Sequence, residues 1–422
     1  MRHKFAVIIL AFALVVSGCT SQIPAPPPEA EPTALPETHR QPDAPEPERE
    51  FLSEVTVGTP GVSQIFVEPT TGVDDGVERL IHAMEMHGQP FYRTQAIPWG
   101  LFGADDVIIL KINCQWDERG GTNTDLIRLV IGAIVAHPDG FTGEVIVADN
   151  GQGQFGSAGS GGSLSWTNNN AVDQSQSATV VINDFAGQGH RVTGVLWDTF
   201  TRVRVGQFSE GDYTDGFVVE DEIRATGLEI TYPKFTTEFG THVSFREGIW
   251  DSDSARYDSD ALKVINMPVL KSHFIFQVTG AVKNYMGTPS DFLTSARAHH
   301  SVGTGGMGTQ MAQTRMPTLN ILDMIWIAVE RGPASPYSTA RQMNLIAAST
   351  DPVALDYWAA RHVLIPAAAQ LPGGGRAASM DPAGDYPGTF GHWLRLSKLE
   401  LQAAGFPVTM NPEEMNIIDG RE

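Results

Sequence analysis

The chain has 422 residues and a formal net charge of −21, with 49 acidic against 28 basic side chains. This acidic excess argues against nucleic acid as a partner, because binding to nucleic acid depends on lysine and arginine contacts to phosphates. Two cysteines are too few for a disulfide framework, a zinc knuckle or a cysteine-ligated iron–sulfur cluster within one chain.

Residues 1–18 have the pattern of a lipoprotein signal peptide. A short basic start precedes an apolar run at 5–16, which is too short to span a bilayer comfortably. A serine and a glycine then stand directly before Cys19, as in a lipobox. We predict that cleavage precedes Cys19 and that lipid on its thiol attaches the protein to a membrane of the cell envelope, outside the cytoplasm. The alternatives are a plain membrane anchor and a buried helix.

The segment at 19–55 is rich in proline, glutamate and alanine. Such a segment has too little apolar surface to offset the entropy of ordering, and its prolines and like charges favour extended chain. We predict a disordered tether that holds the folded body away from the membrane.

The folded body is predicted at 70–405, with 406–422 as a C-terminal tail. Apolar runs suited to buried strands alternate with stretches of helical spacing, which predicts an α/β fold with a mostly parallel sheet and helices on both faces. The predicted elements are a helix at 72–88, a strand at 105–113, a helix from 124 to about 138, strands at 144–149, 179–182, 217–219 and 261–267, a helix or a strand passing into one at 316–331, a strand at 344–349, a helix from 351 and a last helix at 390–404.

Two features have open interpretations. The glycine- and serine-rich stretch at 151–162 is either a loop or a backbone cradle for a ligand, although no lysine closes it as in a phosphate-binding loop. Cys114 is interpreted as a small buried hydrophobic residue, with a reactive thiol as the alternative.

The most distinctive stretch is 266–287, NMPVLKSHFIFQVTGAVKNYMG. It contains a Pro-x-x-Lys-x-His step followed by Thr-Gly-x-x-Lys-Asn and a glycine. This pattern resembles the signature of domain-of-unknown-function family 362. The positions that carry the resemblance are Pro268, Lys271, His273, Thr279, Gly280, Lys283, Asn284 and Gly287.

Two other stretches are similar to the same family. Lys111 and Asn113 end a strand as the family's Lys-x-Asn step does, although Ile112 stands where a proline is more usual. Asp351 and Asp356 belong to an Asp-Pro-x-Ala-x-Asp step. The resemblance therefore covers about 70–405. Some members carry ferredoxin-like cysteine clusters, which this chain cannot form.

The strand predicted around Lys271 carries the first candidate site residues. Side chains alternate along a strand, so Lys271 and His273 are expected on one face. Together they suit an anionic oxygen ligand, or an acid/base pair in which the lysine lowers the pKa of the histidine. The alternative is a solvated lysine beside a hydrogen-bonded structural histidine.

The following segment adds an expected anion site. Thr279 and Gly280 are predicted to begin a turn or helix whose free N–H groups face an anion. Lys283 and Asn284 would add a positive charge and amide hydrogen-bonding groups in its first turn. The alternative places Lys283 on the solvated surface.

Several polar residues stand at or beyond predicted strand ends, where open α/β sheets bind ligands. Asn113, Asp149, Lys271 and Asp351 would converge on one cleft if their strands are neighbours. Asp351 has a second explanation, because aspartate before proline is a favoured start of a helix. Asp356 is a candidate carboxylate ligand or general base.

His299 and His300 lie in a glycine-rich stretch and, with acidic partners, would suit a metal; a mobile loop is the alternative. No identity for a metal or cofactor follows from the sequence.

These observations predict a lipid-anchored extracytoplasmic protein that binds an anionic small molecule or metal complex. It is either an enzyme, with Lys271, His273 and Asp356 as the catalytic groups, or a non-catalytic envelope protein for solute binding or assembly. The predicted ligand-binding residues are Lys111, Asn113, Asp149, Thr279, Gly280, Lys283, Asn284 and Asp351.

Overall fold

The computed structural model describes residues 63–116, 118–151, 162–330, 332, 336–372 and 376–421. The predicted signal peptide, Cys19 and the tether at 19–55 lie outside these residues, as does nearly all of the glycine-rich stretch at 151–162.

The described strands and helices alternate along much of the chain. The strands are β1 (Ser63–Pro69), β2 (Tyr92–Arg93), β3 (Phe102–Gly103), β4 (Val107–Lys111), β5 (Glu144–Asp149), β6 (Val192–Leu196), β7 (Gly216–Ile223), β8 (Glu229–Thr236), β9 (His242–Ser244), β10 (Gly248–Asp251), β11 (Arg256–Asp258), β12 (Leu262–Asn266), β13 (Val269–His273), β14 (Gln277–Thr279), β15 (Leu319–Ala328), β16 (Arg341–Ser349) and β17 (Met415–Asp419). The α-helices are α1 (Gly76–Met86), α2 (Thr124–Val135), α3 (Ala178–Gly187), α4 (Ala281–Asn284), α5 (Ala298–Ser301), α6 (Gly306–Gln313), α7 (Pro352–Ala359), α8 (Ile365–Ala369), α9 (Ala377–Met380) and α10 (Phe390–Ala403), with a π-helical stretch, Ala360–Leu364, between α7 and α8.

A large, mostly parallel sheet runs in the order β17-β1-β16-β15-β12-β4-β5-β6. The chain passes from β4 outward to β5 and β6, and β12 then returns to pair with the other side of β4. The strand order therefore reverses direction between the neighbouring strands β4 and β12, which makes this a topological switch point. Open α/β sheets bind their ligands at such points, beyond the carboxyl ends of the strands. The predicted fold class is confirmed.

Alternating side chains divide the core between the two faces of this sheet. Ile108 and Leu110 of β4 pack with α1, α2 and α3, whereas Val107 and Ile109 belong to the cluster on the opposite face. That second face is covered by the later helices and by a five-stranded antiparallel sheet, β11-β10-β9-β8-β7. Burial on both faces explains why β4 and β5 appear in the sequence as continuous apolar runs.

The strand predicted at 179–182 is wrong, because these residues lie in α3. The Ser177 side chain accepts a hydrogen bond from Val180 N, and the buried residues Ala178, Val181, Ile182 and Phe185 have helical spacing. The ambiguous segment at 316–331 contains a strand, β15.

The domain boundaries at 70 and 405 need correction at both ends. Strand β1 precedes residue 70, and β17 lies within the predicted C-terminal tail. These two strands pair in parallel, with Ser63 opposite Met415 and Val67 opposite Asp419. The tail is thus part of the sheet.

None of the described helices combines the length and apolar character that spanning a bilayer requires.

Candidate functional site

The carboxyl ends of β4, β5 and β13 border a cavity of about 400 Å³. It lies at the switch-point edge of the large sheet, as the strand order predicts. The residues that line it are Lys111, Asn113, Gln115, Trp116, Asp149, Lys271, His273, Phe274, Ile275, Phe276, Thr279, Lys283, Asn284, Met286, Gly287, Arg297, His299 and His300.

Most of the residues predicted to form a site share this cavity. Those that line it are Lys111, Asn113, Asp149, Lys271, His273, Thr279, Lys283 and Asn284. Gly280, Asp351 and Asp356 do not line it.

A buried ion pair joins the ends of β4 and β5. Lys111 Nζ lies 2.7 Å from Asp149 Oδ1, and both side chains are almost completely buried. Asp149 Oδ2 also accepts a hydrogen bond from Cys114 N at 2.9 Å. A Cβ at residue 287 would collide with this pair, so the close approach of the chain requires Gly287.

Lys271 projects from β13 and is held by oxygen atoms. Its Nζ donates to Gly120 O and, at 3.4 Å, to Asn113 Oδ1. Burial lowers the pKa of Lys271 well below its usual value, and the charges of Lys283 and Lys111 lower it further. The surface-lysine alternative is therefore wrong for Lys271, which is 1% exposed.

Lys283 is the second lysine of the 266–287 stretch, and it is also buried. Within the described chain no hydrogen bond or ion pair reaches its Nζ, which lies 5.7 Å from the centroid of the Phe276 ring. Burial, with a smaller effect of the Lys111 charge, lowers the pKa of Lys283 to about 7. Its ammonium is thus readily deprotonated near neutral pH, and the surface alternative is wrong here too.

His273 is held as a neutral imidazole with an assigned tautomer. Its Nδ1 accepts hydrogen bonds from Ile275 N and Phe276 N, each at 3.1 Å, so the ring proton belongs on Nε2. Burial and then the charge of Lys283 lower the pKa of His273 far below its usual value, with Lys271 contributing less. The expected effect of a nearby lysine is confirmed, although burial is the larger cause.

Asparagine amides connect the strand ends behind the lysines. Asn284 Nδ2 donates to Asn266 Oδ1 at 2.8 Å and to Lys111 O at 3.3 Å, while Asn284 Oδ1 accepts from Asn113 Nδ2 at 3.3 Å. Asn266 Nδ2 in turn donates to Asn320 Oδ1 at 2.9 Å. This network fixes the backbone of α4 against β4 and β12.

The anion site expected at the start of the 281–284 helix is already occupied by a side chain. Ala281 N and Val282 N donate to the two carboxylate oxygens of Asp356 at 2.5 and 2.9 Å. Gly280 has no room for a Cβ because of the same carboxylate. Burial raises the pKa of Asp356 to about 7. Asp356 thus acts as an internal cap, and the expectation of free N–H groups for a ligand is wrong.

Asp351 is likewise a capping residue. Its Oδ1 accepts from Val353 N and Ala354 N, and its Oδ2 accepts from Ser63 Oγ and Thr409 N. Strand β16 runs antiparallel to β15, so its carboxyl end lies at the edge of the sheet opposite the cavity. The expected convergence of Asp351 with the other strand-end residues is therefore wrong, and its interpretation as an N-cap is confirmed.

The described residues contain no group of three His, Cys, Asp or Glu side chains that could hold a metal ion. The described histidines and Cys114 therefore do not form a metal centre with such partners. His299 does line the cavity, where burial lowers its pKa to about 3. Cys114 is buried, as predicted, and burial raises the pKa of its thiol well above the usual value. This thiol is therefore unreactive at neutral pH.

The sequence interpretation missed the apolar wall of the cavity. Trp116, Phe276 and Met286 line the cavity from three different segments. Arg297 adds a further cation beside His299. These residues lie in loops or short helices without a periodic pattern, and the FIF run at 274–276, which contains Phe276, is the one sequence feature that could have pointed to any of them.

The fold and cavity define an α/β domain with a buried, lysine-rich site at its switch point. Residues 219–361 match the family described as Domain of unknown function (DUF362). A thylakoid-associated protein of Synechocystis sp. is 34% identical over 128 residues, which are 27% of this chain and 39% of that relative. The match thus spans about two fifths of the relative. No solved structure matches the chain.

Proposed function

We propose that this protein binds an anionic small molecule in the cavity and does so outside the cytoplasm, held at a membrane by lipid on Cys19. The observation that carries the binding role is the charge inside the cavity. Lys111, Lys271 and Lys283 are all buried there, and Asp149 is the sole carboxylate among the described lining residues.

Such a charge balance is costly without a ligand. Burying an unpaired ammonium is unfavourable, and each lowered lysine pKa reflects that cost. A carboxylate or phosphate placed beside Lys271 and Lys283 would restore both charges and supply the acceptors that Lys283 lacks. An anionic oxygen ligand, free or bound to a metal, therefore fits the site best.

The remainder of the ligand is expected to be apolar. Trp116, Phe276 and Met286 contribute apolar surface to the same cavity. A cavity of about 400 Å³ suits a small molecule. A small anion with an aromatic or aliphatic part would contact both the charged and the apolar residues of the cavity.

Calorimetric titration with phenyl phosphate tests this binding role, with benzyl alcohol as the uncharged control ligand. We expect phenyl phosphate to bind and benzyl alcohol not to bind. Lys283→Met and Lys271→Met should each weaken the affinity for phenyl phosphate by at least about tenfold, which corresponds to about 1.4 kcal/mol. Lys398→Met, on α10 away from the cavity, is the matched control and should bind like the wild type. Equal affinity in all four proteins would contradict the site.

A catalytic version of the same site is favoured by one observation. His273 is neutral, its Nδ1 is occupied, and it lines the cavity together with the titratable Lys283. Lys283 can transfer a proton to or from a bound anion, and the Nε2–H of His273 can donate a hydrogen bond to it. If a His273 variant that still binds phenyl phosphate keeps full function in a cellular assay, the non-catalytic role in solute binding or assembly takes its place.

Lipid attachment is tested in a bacterial host that processes lipoproteins. We expect the wild type in the membrane fraction and the N-terminal peptide to begin at an acylated Cys19 by mass spectrometry. Cys19→Ala should release the protein to the soluble fraction, because each buried methylene of an acyl chain contributes about 0.8 kcal/mol to membrane affinity. Cys114→Ala is the matched control and should stay with the membrane. Soluble wild-type protein would contradict the anchor.

A further inference from the structure

We propose that Lys283 is a nucleophile that forms an imine with the carbonyl carbon of a small oxo acid bound in the cavity. The inference rests on the proposed anion site and specifies its ligand as a carbonyl compound that also carries a carboxylate.

The three buried lysines have different surroundings. Lys111 is paired with Asp149, and Lys271 donates to Gly120 O and Asn113 Oδ1. No such partner reaches Lys283 within the described chain, although its side chain is buried and lines the cavity. Lys283 is therefore the amine that can approach a bound ligand without first breaking an interaction.

The chemistry requires an unprotonated amine. A buried lysine beside other cations loses its proton more easily, which is a known way to activate an amine toward carbonyl groups. Burial and Lys111 act on Lys283 in this way and lower its pKa to about 7. An ordinary lysine, with a pKa of about 10.4, is almost fully protonated at the same pH.

The remaining lining groups suit the other end of an oxo acid. Lys271 would attract the carboxylate, and Phe276 and Met286 would contact its carbon chain. The other charged and titratable groups that line the cavity are Lys111, Asp149, Lys271, His273, Arg297, His299 and His300.

The reaction balances without an oxidant or reductant. The nitrogen lone pair of Lys283 attacks the carbonyl carbon, a C–N bond forms, and a proton moves from nitrogen to the oxygen. The resulting carbinolamine then loses its hydroxyl group as water, with a proton supplied to that oxygen, and leaves a C=N bond. Solvent water exchanges these protons with the Lys283 nitrogen and the oxygen, while His273, neutral and protonated on Nε2, can donate a hydrogen bond to that oxygen.

The test uses the purified full-length protein, glyoxylate as an anionic aldehyde, and sodium cyanoborohydride to reduce any imine to a stable secondary amine. Peptide mass spectrometry then locates the adduct. We expect glyoxylate to modify Lys283 at least about tenfold faster than Lys398 at pH 7. Propanal, which has no carboxylate, should show a smaller preference for Lys283. The selective rate should rise with pH up to about 7 and then level off, as the amine becomes fully unprotonated.

Lys283→Arg keeps the positive charge but cannot form the imine, and it should lose the adduct while Lys398 is still modified. Modification spread equally over the lysines would overturn the nucleophile. If phenyl phosphate still binds in that case, the anion site stands and only the imine is wrong; if it does not bind, both proposals fail. Because the wild-type map alone decides the site, a poorly folded variant does not leave the question open.

Discussion

Asp149→Asn is expected to lower the free energy of unfolding by about 3–5 kcal/mol, the typical effect of removing one partner from a buried ion pair. Lys111 and Asp149 are both almost completely buried, with Nζ and Oδ1 2.7 Å apart. Asparagine keeps the shape and an acceptor for Cys114 N but removes the negative charge. Lys111 would then face Lys271 and Lys283 without a counter-charge. Urea denaturation followed by circular dichroism measures the loss.

Two comparisons show that the loss comes from charge. The double variant Lys111→Met/Asp149→Leu should lose less stability than Asp149→Asn, because it leaves no charge buried alone. Saturating phenyl phosphate should restore part of the stability of Asp149→Asn, since a ligand that binds the folded state stabilises it. A loss of less than about 1 kcal/mol in Asp149→Asn would show that the pair is not the balancing charge of the site.

Lys283→Met is expected to raise stability at neutral pH while it weakens ligand binding. The pKa of Lys283 is depressed to about 7 in the folded state, whereas an unfolded lysine keeps its usual value near 10.4. At pH 6 the folded protein therefore holds a buried ammonium at a cost on the order of a few kcal/mol. Methionine removes this cost and packs against Phe276, so the variant should melt at a higher temperature.

The contribution of Lys283 to the pH dependence of the free energy of unfolding has a defined sign. Between pH 7 and about 10 the unfolded state holds a proton on residue 283 that the folded state has lost, so the wild type gains stability as pH rises through this window. Lys283→Met should show a smaller rise, because it removes one of the two described cavity lysines whose pKa is lowered. Denaturant titrations at pH 6, 7, 8 and 9 test this, with Lys398→Met as the control. Parallel curves for wild type and Lys283→Met would contradict a deprotonating Lys283.

A site that lowers stability in order to bind its ligand is common in proteins, since function and stability compete at such positions. The proposed binding role would place this conflict in Lys271 and Lys283, which both belong to the 266–287 stretch. Loss of binding with a gain in stability in Lys283→Met would distinguish a functional lysine from a structural one.

Much of the central fold could be predicted from local pattern. Strands β4 and β5 are continuous apolar runs, and α2 has helical spacing after a favourable N-cap residue, Asn123. The elements farther from the centre of the sheet were harder to predict from the sequence. Helix α3 begins with β-branched residues that mimic a strand, and β15 is an apolar run whose length also suits a helix. Strands β1 and β17 were missed because their partner is the other terminus of the domain.

Some residues of the candidate site could be placed from the sequence, whereas others could not. Lys111, Asp149 and Lys271 could be assigned because residues near the carboxyl ends of parallel strands meet at one edge of a sheet. Asp351 follows a strand in the same manner, yet β16 runs in the opposite direction. Asp356 was placed correctly on a helix, but the sequence does not show that its carboxylate caps another helix.

The sequence by itself determined the acidic composition, the α/β alternation and the presence of lysines, a histidine and asparagines at strand ends. Tertiary structure alone decided that Lys111 is paired with Asp149, that Lys271 donates to Gly120 O, and that Lys283 remains without such a partner among the described residues. The physical reason is that periodicity reports local conformation, whereas strand order, strand direction and side-chain partners depend on contacts between residues far apart in the chain.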